Sequence, residues 1–158
     1  MKTLSVFVLI VLLWSCTQQT TTQPSATTTA ITSTVQPYKP GLGEIMSVIQ
    51  MHHAKLWFAG INENWKLADY EIKEIKENFQ TAKDFETDRK ETGDLPMIDG
   101  SIDSVLAAVQ QKNLPAFKNS FQSLTNTCNS CHRSVNFEFN VVSIPTAPPV
   151  TNQEFKLK

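Results

Sequence analysis

The chain has 158 residues, 41% of them hydrophobic and 18% charged, and 14 Lys and Arg against 15 Asp and Glu leave a net charge of −1. With no basic patch in the sequence, nucleic acid is excluded as an expected partner. Segment 41–135 shows neither an internal repeat nor a strand-period stretch, so the expectation is a single all-α domain of roughly 100–115 residues, enough to enclose a core.

Residues 1–15 carry Lys2 and then an apolar run from Leu4 to Trp14, interrupted by Ser5. This is the pattern of an export signal, too short to remain as a membrane-spanning helix. It ends Leu13-Trp14-Ser15-Cys16, similar to a bacterial lipoprotein cleavage box. Cys16 is therefore expected to be the lipidated first residue of the mature chain, whose net charge without Lys2 becomes −2. Several acyl chains anchor firmly where one binds marginally. Thr17 after the cysteine points to the outer rather than the inner membrane. The alternative is a plain secretory signal that leaves Cys16 as a stray thiol.

Segment 16–40 is rich in Thr, Gln, Ser and Pro and poor in charge and large apolar groups. It cannot bury enough surface to offset ordering entropy and reads as a flexible tether. A coil of that length reaches on the order of 25–30 Å.

Helical periodicity begins at Leu42. Leu42, Met46, Ile49, His53 and Leu56 form one stripe, and Gly60 is expected to be its C-cap. Asn62 or Asn64 is expected to cap a second helix with the stripe Trp65, Ala68, Ile72, Ile75, Phe79 and Ala82, whose charges occupy the solvated face. Residues 86–97 read as a loop. Ile98, Ile102, Val105 and Val109 mark a third, shorter helix. Asn113 and Pro115 open the fourth, in which Leu114, Phe117, Phe121, Leu124, Cys128, Cys131 and Val135 share a seam. Short connections between four amphipathic helices predict an antiparallel four-helix bundle. Segment 136–158, with Phe137, Phe139 and Val141 and then Pro145, Pro148 and Pro149, reads as an extended tail packed along it.

Within the fourth helix stands Cys128-Asn129-Ser130-Cys131-His132, which has the C-x-x-C-H form of the attachment signature for covalent haem c. Two thiols add across the two vinyl groups of one porphyrin, and the adjacent imidazole is held beneath the iron as proximal ligand. A thioredoxin-like pair would want a βαβ setting and a helix N-terminus. A zinc site would need a second ligand pair. A structural disulfide is open to the two cysteines but leaves His132 without a reason. Haem c, bound through Cys128 and Cys131 with iron on His132, explains the whole motif.

A haem motif near the C-terminal end of the fourth helix resembles class II c-type cytochromes, the cytochrome c′ family and its low-spin relatives. So does the first-helix run from Leu42-Gly43-Glu44-Ile45-Met46 to His52-His53-Ala54-Lys55-Leu56-Trp57-Phe58-Ala59-Gly60. The likeness covers about residues 41–135 and makes 41–139 the haem domain, with 140–158 as its tail. Other small c-type cytochromes take Met from downstream of the motif, and this chain has no Met after Met97. In the family, a first-helix residue six positions before a His forms the distal wall, and Met46 stands so before His52. Low-spin members with Met there use it as the sixth iron ligand, so the resemblance implies His132/Met46 ligation. Met97 is the rival. Of His52 and His53, one is expected to be a hydrogen-bonded packing residue and the other a surface or propionate contact; Trp57 and Trp65 are expected as corner packing. Many cytochromes c′ carry a basic residue four positions after the haem His. Here that position is Asn136, with Arg133 nearby, so proximal gas chemistry is not carried over.

The expected function is single-electron transfer by a membrane-tethered protein of the cell envelope or periplasm, rather than enzymatic catalysis. Redox proteins of that compartment are the expected partners, the lipid anchor its membrane contact, and a homodimer is compatible with the family. The alternative is a five-coordinate or ligand-displaceable haem that binds NO or CO. A third reading is a haem subunit of a larger respiratory complex.

Overall fold

The computed structural model describes residues 38–157, which fold as four α-helices and one 3-10 helix with no strand among them. The expected export signal, Cys16 as the expected lipidation site and nearly all of the expected tether fall outside the described residues. The helices are α1 (Leu42–Ile61), α2 (Trp65–Phe85), α3 (Asp99–Gln110) and α4 (Leu114–Ser134). Each packs on its neighbour in sequence, and α1 also meets α4, closing a four-helix bundle. No helix among the described residues is long and apolar enough to cross a membrane.

The predicted stripes become the core. Ile45, Ile49 and Leu56 of α1 meet Ala68, Ile72, Ile75 and Phe79 of α2, Ile102, Val105 and Val109 of α3, and Phe117, Phe121 and Leu124 of α4. Phe117 and Phe121 are fully buried, each contributing about 1.5–3 kcal/mol of apolar transfer free energy. Trp57 and Trp65 pack around Phe117, as expected of corner residues.

Both tight joints use one device. At the end of α1 the Asn64 N–H bonds Ala59 O and the Glu63 N–H bonds Gly60 O, with Glu63 at φ 55. At the end of α3 the Asn113 N–H bonds Ala108 O and the Lys112 N–H bonds Val109 O, with Lys112 at φ 52. These are Schellman motifs, each satisfying two orphan carbonyls. The following Asn64 and Asn113 side chains then cap α2 and α4 by accepting from the Leu67 and Ala116 N–H groups.

Gly60 is thus not the cap that its position suggests. It lies inside α1, where a Cβ would fall 2.1 Å from the Phe117 ring. Its missing side chain lets the α1 backbone touch that ring.

Segment 86–97 is also more regular than a loop. Lys90–Ile98 forms a 3-10 helix, in which residues three apart eclipse, so Leu95 and Ile98 bury on one face. Buried Glu86 anchors the approach, with Arg89 Nε at 2.9 Å and Lys39 Nζ at 3.7 Å.

Candidate functional site

The contacts between α1 and α4 set a register. Gly60 touches Phe117, and seven residues back along α1 the His53 ring bonds Thr125 Oγ1 at 2.9 Å, eight residues on along α4. A further seven in each direction arrives at Met46 and His132. Both line one cavity of about 390 Å³ at this end of the bundle, a size usual for cofactor pockets. Cys128, Cys131 and Met97 line it too, and Ile49, Ile75, Phe79, Leu95, Ile98 and Leu124 make its walls apolar.

Cys128 and Cys131 continue the buried seam of α4 but are only half-buried, because they face this cavity. They are free thiols and not a disulfide. Burial pushes the Cys128 thiol up to about 12, and burial followed by the charge of Asp94 raises that of Cys131. A nucleophilic redox pair requires the opposite shift and a helix N-terminus, whereas these cysteines occupy the last turns of α4.

His132 follows directly. Its Nδ1 lies 2.5 Å from the backbone oxygen of Asn140, which can only accept, so Nδ1 carries the proton. In the neutral ring, Nε2 then has a free lone pair. A ring nitrogen tied to a carbonyl while the other is open is the usual arrangement of a metal-binding imidazole. The donor set fits haem c: two thiols spaced i, i+3, an oriented imidazole, a thioether on the facing helix and apolar walls.

Asn140 reaches His132 because α4 ends in a third Schellman motif. The Phe137 N–H bonds His132 O at 2.7 Å, with Asn136 at φ 60. The chain then turns back over the cavity, where Phe137, Asn140 and Val142 join the lining. Asn129, between the two cysteines, grips the returning chain: its Nδ2 donates to Val142 O and its Oδ1 accepts from the Val142 N–H, each at 2.8 Å. Farther on, Phe155 is buried against Phe58. Of the tail's aromatics, Phe137 lines the cavity, while Phe139 is 75% exposed and lies tilted against Phe137.

The two adjacent histidines separate. His53 is the packing residue: buried, tilted against Phe121, and depressed to about 4 by burial. Thr125 donates its own hydroxyl to Phe121 O, so it accepts from the His53 Nε2–H. His52 is neither a surface nor a propionate contact; its Nδ1 lies 2.6 Å from Glu71, whose carboxylate is buried and whose Oε1 has no partner among the described residues. Arg133 bonds Ser130 and lies off the cavity. The cation at the mouth is Arg89, the chain's other arginine, which nothing in the periodicity singled out.

Comparison with family models, with curated proteins and with solved structures returns no match for this chain.

Proposed function

We propose that this four-helix bundle is a c-type cytochrome, a carrier of single electrons. Cys128 and Cys131 would hold one haem c, and His132 and Met46 would bind its iron. More particularly, we read it as a class II-like cytochrome of the cell envelope, tied to a membrane through Cys16.

The observation that carries the reading is the committed His132 ring at the lip of a cavity that also receives both thiols and Met46. The chemistry the group supplies when bound is the one-electron Fe(III)/Fe(II) couple. The chain's residues do the rest. The Asn140 carbonyl orients the imidazole and strengthens it as a donor. The apolar walls exclude water and disfavour net charge; of the charged residues in the lining, Arg89, already paired with Glu86, would favour an anionic propionate and Glu91 would oppose one. Half-exposed His132 and Phe137 lie where a redox partner could approach.

The test is an absorption spectrum of the export-matured protein, oxidised and reduced, with and without CO, for wild type and Met46→Ala. The expected result is a covalently bound, low-spin haem indifferent to CO, which becomes high-spin and CO-binding in the variant. A colourless wild type with both thiols free overturns the haem. A high-spin wild type that binds CO overturns electron transfer in favour of gas binding.

A further inference from the structure

Asn129 and His132 lie three residues apart on α4 and so share a face, one turn from each other. The tail passes that face antiparallel to the helix and is tied to it twice. Val142 is held by both ends of the Asn129 amide, and Asn140, two residues earlier, receives the His132 Nδ1–H. These ties resemble two rungs of one ladder. The intervening turn is closed by the Asn140 N–H on Phe137 O at 3.0 Å. A backbone oxygen in an exposed segment would not by itself keep one position, since Asn140 and its neighbour Val141 are largely solvent-facing. The Asn129 clamp fixes the register.

We infer that Asn129 is a positioning residue for the iron site: by gripping Val142 it holds the Asn140 carbonyl on His132 and thereby sets the donor strength of that imidazole. The inference rests on the haem reading above and assigns a role to a variable position of the motif. A hydrogen bond on Nδ1 makes the ring more basic and favours the more highly charged iron. Loosening it therefore favours Fe(II). Removing an outer partner of a metal ligand typically changes metal affinity by about 10–100-fold.

The test compares the holoprotein with Asn129→Leu, which removes both bonds at similar volume, and with Ser130→Ala, whose hydroxyl bonds only Asn126 O and Arg133. In Asn129→Leu the Fe(II)/Fe(III) ratio at fixed potential is expected to rise about tenfold, a midpoint shift of about 59 mV for one electron. The Val142 amide is expected to exchange hydrogen at least about tenfold faster, having lost its half-buried partner. Ser130→Ala changes neither. Val142→Pro deletes the same N–H while leaving the attachment motif intact, and is expected to move the potential in the same direction. It decides the matter if Asn129→Leu fails to take up haem. An unchanged potential in a haem-loaded variant overturns the inference, as does unchanged exchange at Val142. A wild type that binds no haem overturns the earlier reading instead, so the two failures are distinct.

Discussion

Burial of His53 makes stability depend on pH in a way that can be worked out. Its ring has an ordinary value of 6.5 and is depressed to about 4 in the fold by burial. Between those values the unfolded chain binds a proton that the folded chain refuses, so stability is flat above pH 6.5, falls as pH drops from 6.5 to 4, and is flat again below. At about 1.36 kcal/mol per pH unit the whole interval amounts to roughly 3.4 kcal/mol, and the stretch from pH 7 to pH 4.5 to roughly 2.4 kcal/mol. The perturbation is His53→Gln, which keeps an N–H for Thr125 Oγ1 but has nothing to titrate. Urea unfolding of the holoprotein, followed by circular dichroism at pH 7 and pH 4.5, gives the two stabilities. Other groups contribute to both proteins and cancel in the difference. Wild type is expected to lose about 2.4 kcal/mol more than the variant on acidification. Equal losses would refute a buried, neutral His53.

Two further substitutions probe the packing. Gly60→Ala adds a favourable helix former worth about 1 kcal/mol, but its methyl would collide with fully buried Phe117, so a net loss of about 1–2 kcal/mol is expected in the same urea assay. His52→Ala strips buried Glu71 of its imidazole partner and is expected to cost roughly 3–5 kcal/mol; adding Glu71→Leu restores most of it, because the uncompensated carboxylate has gone.

The helices were legible because their apolar residues recur at helical spacing, from Ile45 to Leu56 and from Phe117 to Leu124. Gly60 misled because a glycine near a helix end usually stops it. Here Glu63 takes the left-handed position instead, and the glycine is spent on contact with a residue far along the chain. The 3-10 helix escaped notice since Gly93 and Pro96 are ordinary loop signals, and only the pairing of Leu95 with Ile98 hinted otherwise. The candidate ligands Cys128, Cys131, His132 and Met46 were local or family patterns. What holds His132 was not, since a backbone carbonyl leaves no trace in side-chain identity. The one available signal was Asn136, a residue that often ends helices in the left-handed conformation and turns the chain back.

At one end of the bundle α1 meets α4 backbone against ring, and at the other the two helices are separated by the cavity. Gly60 and Met46 are 14 residues apart, about 21 Å along the helix axis. A tilt of α1 of roughly 3° about Gly60–Phe117 would sweep Met46 through roughly 1 Å, and the His53–Thr125 bond midway between them opposes it. Ligating groups have to be held within about 0.5 Å of their working geometry. The fit of Gly60 against one phenyl ring therefore bears, together with the His53–Thr125 bond, on where Met46 stands in the cavity.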